Sequence, residues 1–317
     1  MSKKQLIFAM TSADRIKSIF DFKRPDRIGI MDEFDGSAIE LWNKEAGVSS
    51  GENLKGYFDF DIRLFGFNQD IELNSKHGVS IERTNSPSTG ECIVTDYAKA
   101  KSEGKFLALS FIEPFEHLSG IIGKEELLMM MAQDASRAAE LLSNSLDFSL
   151  RMCQLLLDKL YHFDGAWIWG DLGYKDRLFF STDYYNAFLF DLHKEICDFF
   201  NRKNMPVVFH SHGNISELMP YLIETGVRAV EPLENNVGLD HFKLKIEYGK
   251  DLVFLGGIDA LKYSDDLAAL KEIREKFERF KEGFGYIYRA DSPITGDITL
   301  KRYMKILDVV KEYGTYS

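Results

Sequence analysis

The sequence predicts an α/β fold: a (β/α)8 TIM barrel with an inserted hairpin in its N-terminal half and extra helices. In the C-terminal half, strand-like and helix-like segments alternate regularly. Each strand-like segment is a near-continuous apolar run, which is typical of parallel strands covered by helices. The 317 residues suit one large barrel, and no low-complexity linker divides them. We therefore expect residues 1–317 to form a single domain, with an open doubly wound sheet as the alternative architecture.

The elements of the N-terminal half are spaced less regularly. Apolar runs predict strands over residues 26–34, 61–67 and 105–115. Two further segments, VSIERT (79–84) and ECIVTDY (91–97), flank the turn-rich stretch NSPSTG. Because Gly, Pro, Asn and Ser favour turns, this arrangement predicts the inserted hairpin.

The rest of the chain supplies alternating helices and strands. A helical stretch in two pieces covers residues 125–161. Ser181 can cap a long helix over 182–203, and Gly226 is suited to end a helix over 215–226. The remaining predicted elements are strands over 164–171, 206–212, 227–233, 251–259 and 284–291, and helices over 237–249, 264–283 and 299–314.

Composition narrows the function classes. The net charge of -11 argues against a surface for nucleic acid or for an anionic membrane. Cys92, Cys153 and Cys197 lie far apart without CxxC spacing, which indicates reduced thiols. No apolar stretch is long enough for a signal peptide or a transmembrane helix. We expect a soluble cytoplasmic protein that acts on a small molecule.

The active site of a barrel lies at the carboxyl ends of its strands, so polar residues at those ends are the candidates. The chain offers an unusual number of acids and imidazoles there. They are Asp171, His210, His212, Glu231, Asp259 and Asp291, with Asp32 and Glu33 near the first strand.

His210 and His212 follow the two-residue period of a strand, so both side chains should lie on one face. Their Cβ atoms would be about 6–7 Å apart, close enough to share a zinc ion if another strand supplies a third ligand. Without a metal, one imidazole could act as a general acid or base. The structural alternative is that one ring bonds to backbone and the other faces solvent.

Asp171 has the same strand parity as Trp167 and Trp169, which indicates a substrate or metal contact in an apolar pocket. The alternative is that Asp171 caps a loop above two core tryptophans. Asp259 and Asp291 allow the same two interpretations, since aspartate is common in turns. The motifs GxGxxG, GxxxxGK[ST] and GxSxG are absent, so nucleotide binding and serine hydrolysis have no motif support.

Six segments resemble the uroporphyrinogen decarboxylase-like superfamily in their order and spacing. They are PDRIGI, DGAWIWGDLG, PVVFHSHGNISELMPYLIETGV, EPLENNVGLD, YGKDLVFLGGIDA and GYIYRADSPI. The resemblance is near-continuous from about residue 160 to the end and looser before it. It implies a (β/α)8 barrel. Because members of this superfamily are often homodimers, it also implies a homodimer.

The superfamily contains two chemistries. True uroporphyrinogen decarboxylases hold the substrate carboxylates with an arginine-rich N-terminal segment. Here Arg24 and Arg27 are followed by Asp32, Glu33 and Asp35, which would repel a tetrapyrrole with many carboxylates. The resemblance therefore favours the other branch, the corrinoid-dependent methyltransferases.

Those methyltransferases usually hold zinc with an HxC pair and a cysteine after the last strand. His210 matches the first ligand position, His212 replaces the cysteine, and the last position falls near Ser292, beside Asp291. The resemblance thus implies zinc held by His210, His212 and Asp291, with Glu231 as the alternative carboxylate. The catalytic residues that we expect are Asp171, His210, Glu231 and Asp259.

The function that the resemblance implies is a metal-dependent methyltransferase component. It would act with a separate corrinoid protein on a small methylated substrate or a thiol acceptor. Two alternatives stay open: a lyase that acts on a small carboxylated substrate, with Asp171 and His210 moving protons, and a non-catalytic barrel.

Overall fold

Eight parallel strands form one curled sheet at the centre of the protein. The computed structural model describes residues 10–47, 56–67, 72–74, 78–80, 90–159 and 161–316. The strands are β1 (Gly29–Ile30), β2 (Ile62–Gly66), β3 (Phe106–Ile112), β4 (Gly165–Trp169), β5 (Val207–His210), β6 (Ala229–Leu233), β7 (Val253–Gly256) and β8 (Tyr286–Tyr288). All hydrogen-bonded neighbours in this sheet are parallel.

The strand order confirms the predicted mixed α/β architecture with consecutive parallel strands. It runs β2-β3-β4-β5-β6-β7-β8-β1 without the reversal that marks a doubly wound sheet. Within the described residues, no strand ladder joins β1 to β2. Between these two edges, the backbone N–H of Asp61 donates to the carbonyl of Ile30 over 2.8 Å.

Twelve α-helices surround the sheet in the described part of the chain. They are α1 (Ser12–Phe20), α2 (Gly36–Ala46), α3 (Gly90–Ser102), α4 (Pro114–Ile122), α5 (Lys124–Gln133), α6 (Ala135–Asp158), α7 (Thr182–Phe188), α8 (Phe190–Asn201), α9 (Met219–Thr225), α10 (His241–Tyr248), α11 (Asp266–Phe280) and α12 (Leu300–Gly314). None of these helices combines the length and the apolar character that a membrane span requires.

Local sequence accounts for several helix ends. The Ser181 hydroxyl accepts from the backbone N–H of Tyr184 and caps α7, as predicted. The single long helix predicted after Ser181 is instead two helices, because Leu189 departs from helical geometry with φ -120°. Gly226 has φ +100° and ends α9, as predicted, since glycine adopts this left-handed conformation without steric cost.

The described residues include an antiparallel hairpin in the N-terminal half, but it is not the predicted one. Glu72–Asn74 pairs antiparallel with Gly78–Ser80. The prediction of a strand over 91–97 is wrong, because this segment lies in α3. Tyr97 and Ala100 are buried three residues apart, as one face of a helix requires. Most of the other predicted strand, residues 81–84, lies outside the described residues.

The inner side of the sheet holds an apolar cluster that includes Trp167, Val208, Ala229 and Ile287. Ile16, Ile19 and Phe20 of α1 belong to the same cluster and cover the sheet near its amino end. Side chains alternate along a strand, so the positions two residues further also point inward. These positions are Trp169, His210, Glu231 and Arg289.

Asp61 connects α1 to the two edge strands. Its side chain is fully buried and accepts from Arg15 over 2.8 Å, from Arg27 over 2.7 Å and from the backbone N–H of Ile30 over 2.8 Å. Arg15 and Arg27 are themselves largely buried. A buried charge is stable in a fold only when it is paired, so this carboxylate holds the three elements together.

We expect Asp61→Ala to lower the free energy of unfolding by about 3–5 kcal/mol, because Arg27 loses its buried carboxylate and Arg15 keeps only the more exposed Asp26. Urea denaturation followed by circular dichroism measures the change. The control is Asp21→Ala, which removes an exposed pair with Lys23 and should change stability by less than about 1 kcal/mol. Equal unfolding midpoints for the Asp61 variant and the wild type would contradict this role.

Candidate functional site

Three potential metal ligands converge beyond the carboxyl ends of β4 and β5. Asp171 follows β4 by two residues, His210 ends β5, and His212 lies two residues further. One ligand atom from each residue lies within 4.8 Å of the others. The two imidazole rings are 4.8 Å apart at their centroids and nearly perpendicular. The predicted pair of histidines therefore shares one side of the strand end.

His210 lies between its neighbours on the adjacent strands, Trp169 and Glu231. It is only 5% exposed. Its Nδ1 lies 2.5 Å from Oε2 of Glu231, and its Nε2 lies 3.6 Å from Oδ1 of Asp171. The indole of Trp169 packs against the ring, with centroids 4.4 Å apart. One ring nitrogen is thus engaged by a buried carboxylate, while the other faces the candidate ligands.

His212 has a similar arrangement at a more exposed position. Its Nδ1 lies 2.8 Å from Oε1 of Glu234, and the other oxygen of Glu234 accepts from the backbone N–H of Gly213 over 2.5 Å. The hydrogen bond with Glu234 raises the pKa of His212 above its ordinary value of 6.5, although burial acts in the opposite direction. Glu234 therefore fixes the ring through one nitrogen.

This donor set fits a zinc ion. Two imidazoles and a carboxylate are common zinc ligands, and a histidine that binds metal usually hydrogen-bonds a carboxylate or carbonyl through its other nitrogen. Glu231 and Glu234 occupy that outer position for His210 and His212, respectively.

Close backbone packing fixes the two loops that carry the ligands. The backbone N–H of His212 donates to Oδ1 of Asp171 over 2.9 Å. A Cβ added at Gly173 would lie 2.5 Å from the carbonyl oxygen of His212. Gly213 has φ +80°, a left-handed conformation that favours glycine. The loops after β4 and β5 therefore approach more closely than any larger residue at Gly173 would allow.

The structure groups Asp171, rather than the predicted Asp291, with the two histidines. Asp291 follows β8, three strands away from β5 in the sheet. Its Oδ2 accepts from the Asn235 side chain over 2.8 Å, and its Oδ1 accepts from the backbone N–H of Ala260 over 3.1 Å. The carboxylate of Asp291 thus links neighbouring loops and lies outside the metal-ligand group found among the described residues.

Of the other predicted acids, Glu231 contacts one of the two histidines, whereas Asp259 and Asp32 bond to other groups. Asp259 caps a short 3-10 helix, Ala260–Ser264, by accepting from the backbone N–H of Leu261 over 3.0 Å. Asp32 is buried away from the histidines and accepts from the hydroxyl of Tyr303 over 2.8 Å. Burial raises the pKa of Asp32 to about 7. Glu231, in contrast, lies in direct contact with His210.

Sequence reasoning missed two residues beside the site. Glu234 directly follows β6 and binds His212. Arg289 directly follows β8, is 1% exposed and forms ion pairs with Glu33 and Glu231. The strand parity of Arg289, two residues after the inward Ile287, was the available signal.

The charge of Arg289 governs the ionisation of Glu231. Burial acts to raise the pKa of Glu231. The charge of Arg289 and the hydrogen bond with His210 act in the other direction, and the pKa lies below its ordinary value. Glu231 is therefore an ionised hydrogen-bond acceptor at neutral pH.

Comparison with known proteins agrees with this architecture. Residues 93–313, more than half of the chain, match the family model described as Uroporphyrinogen decarboxylase (URO-D). The chain belongs to the uroporphyrinogen decarboxylase family. This match confirms the family resemblance that the six sequence segments indicated.

Among solved structures, this URO-D family member is similar to a methyltransferase from Methanosarcina mazei. The TM-score is 0.68 at 12% sequence identity, and the match covers 96% of this chain and 99% of the methyltransferase. At this identity the similarity shows a shared fold.

Two other solved structures score lower. Dispersin B has a TM-score of 0.38 at 13% identity and covers 70% of this chain and 74% of its own. Ochratoxinase from A. niger has a TM-score of 0.35 at 12% identity and covers 80% and 68%, respectively. No curated protein matches the chain by sequence.

Glu234→Gln should lower the pKa of His212 in the metal-free protein, because it removes the carboxylate whose hydrogen bond raises that pKa. An NMR titration of the histidine ring resonances measures the change. His162, exposed near the amino end of β4, serves as the internal reference, and its ring resonances should be the same in both proteins at each pH. An unchanged His212 titration in the variant would show that Glu234 does not control the ring.

Proposed function

We propose that this URO-D family member is a zinc-dependent methyltransferase component that acts with a separate corrinoid protein. The observation that carries this proposal is the convergence of Asp171, His210 and His212 beyond β4 and β5. We further propose that the sheet closes into a (β/α)8 barrel at β1 and β2, supported by the Asp61–Ile30 hydrogen bond. Closure would make the carboxyl ends of all eight strands one rim, with the histidines at its mouth.

The residues that would hold zinc are His210, His212 and Asp171. When bound, zinc supplies a Lewis acid that activates the heteroatom carrying the methyl group or lowers the pKa of an accepting thiol. Glu231 and Glu234 hold the two rings through Nδ1, so that each ring presents its remaining nitrogen.

Aromatic side chains form the apolar part of the proposed site. The indole of Trp169 packs against the ring of His210. Trp167 in turn packs against Trp169, and the centroids of the two indoles are 6.1 Å apart. Tyr174 and Phe179 lie in the loop that follows Asp171, with ring centroids 5.6 Å apart. Such aromatic surfaces suit a small substrate with a substantial apolar part.

The charges near the site argue against a substrate with many carboxylates. Asp171, Glu231 and Glu234 all surround the histidines. Arg289 is already paired with Glu231 and Glu33, and Arg27 is bound to Asp61. A tetrapyrrole polycarboxylate would therefore meet carboxylates rather than available arginines here, which supports the methyltransferase over the decarboxylase.

One observation favours the lyase as a second candidate. Nε2 of His210 and Oδ1 of Asp171 are 3.6 Å apart, so an imidazole and a carboxylate lie close enough to act on the same small substrate as acid and base without a metal. A decarboxylation of a small acid would use such a pair. The two candidates differ in their need for zinc and in their products.

Zinc binding is the first test. We expect about one zinc per chain in protein purified without chelator. His210→Ala and His212→Ala should each weaken zinc binding by more than about 100-fold, beyond the loss that outer-shell variants cause. Elemental analysis and chelator competition measure both quantities. The matched control is His162→Ala, which removes an exposed histidine. Wild-type protein that takes up no zinc on titration would contradict the proposal.

Product analysis separates the two enzymes. Zinc-loaded protein mixed with methylcobalamin and a thiol should demethylate the corrinoid, and His210→Ala should reduce the rate to background because a proposed zinc ligand is lost. The change in corrinoid absorbance follows the reaction. A parallel assay measures carbon dioxide released from a panel of small carboxylic acids. Release of carbon dioxide without any corrinoid reaction would establish the lyase instead.

A further inference from the structure

Arg289 is a charged side chain enclosed inside the sheet. It follows β8 at the inward parity of Ile287 and is 1% exposed. Burial of an unpaired guanidinium is strongly unfavourable, so its surroundings must supply opposite charge. Its position near the carboxyl ends of the strands places those counter-charges beside the proposed metal centre.

Two carboxylates from different strands pair with this guanidinium. Nη2 of Arg289 lies 2.5 Å from Oε2 of Glu33, which follows β1. Nη1 of Arg289 forms an ion pair with Oε1 of Glu231 on β6. The arginine therefore bridges the two acids across the inner side of the sheet.

Glu231 divides its two oxygens between different partners. Oε1 contacts Arg289, while Oε2 lies 2.5 Å from Nδ1 of His210. The carboxylate is fully buried, so no solvent competes for either oxygen. The guanidinium thus fixes the rotation of the carboxylate, and the carboxylate fixes the imidazole ring.

This geometry also determines where the proton of His210 lies. Because Oε1 of Glu231 is paired with the guanidinium of Arg289, the carboxylate acts as an acceptor, and Nδ1 of His210 is the donor to its Oε2. A neutral imidazole then has its lone pair on Nε2, which is the nitrogen that faces Asp171 at 3.6 Å. That tautomer is the one required if Nε2 is to bind zinc.

We infer that Arg289 is a positioning residue for the metal centre: by holding Glu231, it fixes the orientation and the tautomer of His210. The inference deepens the proposed function and rests on it. The two Nη atoms of Arg289 are ion-paired with Glu33 and Glu231. Its effect on zinc passes through Glu231 and His210.

The test compares Arg289→Met with the wild type in two measurements. In zinc-free protein, the ¹⁵N shifts of the His210 ring should report the Nδ1–H tautomer in the wild type and a mixture in the variant. Chelator competition should give about 10–100-fold weaker zinc binding, the range expected for loss of an outer partner of a metal-binding histidine. Arg289→Lys keeps the charge and should restore the tautomer, with zinc binding weakened by less than about tenfold.

Arg137→Met is the matched control. It removes an arginine whose exposed partner is Glu140, on α6, and should change neither measurement. Glu231→Asp is the second variant, for use if Arg289→Met does not fold. It keeps the negative charge but shortens the side chain by one methylene, so it cannot contact Arg289 and His210 as Glu231 does. It should also mix the tautomers.

A folded Arg289→Met or Glu231→Asp protein with the wild-type tautomer and wild-type zinc affinity would overturn the inference. The tautomer measurement requires no zinc, so the two proposals can fail separately. If the wild type binds no zinc but Arg289→Met still mixes the tautomers, the positioning role stands and the metal-dependent function fails. If zinc binds but the tautomer does not respond to either variant, the positioning role fails alone.

Discussion

A charged side chain buried inside a parallel sheet is stable only beside an opposite charge, and such ion pairs determine the packing at both ends of the sheet. At the amino end of the sheet, Asp61 forms ion pairs with Arg15 and Arg27 and connects α1 to the edge strands. At the carboxyl end of the sheet, Glu231 forms an ion pair with Arg289 and contacts Nδ1 of His210. The first network supports the architecture. The second ends in Nε2 of His210, which faces Asp171 and is the nitrogen that would bind zinc under the proposed function.

Much of the fold could be predicted because buried parallel strands are continuous apolar runs. The segments around β5 and β7 carry this pattern, and Gly226 marks a helix end by its conformational freedom. The segment 91–97 was misassigned because a short apolar stretch fits a period of two as well as a helical one. Its helix is recognisable only through Tyr97 and Ala100, which are buried together.

The site was predictable in part for a related reason. The spacing of His210 and His212 is local, so the amino-acid sequence by itself indicates that they share a face. The choice between Asp171 and Asp291 is not local. It depends on which strands are neighbours, and β4 pairs with β5 whereas β8 does not. Arg289 is not predictable as a buried residue, because arginines are usually exposed. Its burial depends on Glu33 and Glu231, which come from distant parts of the sequence.

Helix α1 places Ile16, Ile19 and Phe20 against the inner side of the sheet near its amino end. In the proposed closed barrel, these apolar side chains would block access from the amino end, so a ligand would enter at the carboxyl rim. A small molecule and a bulky protein-borne methyl carrier would then have to use the same entrance. Under the proposed function, the small reactant would then have to bind before the carrier protein covers the entrance.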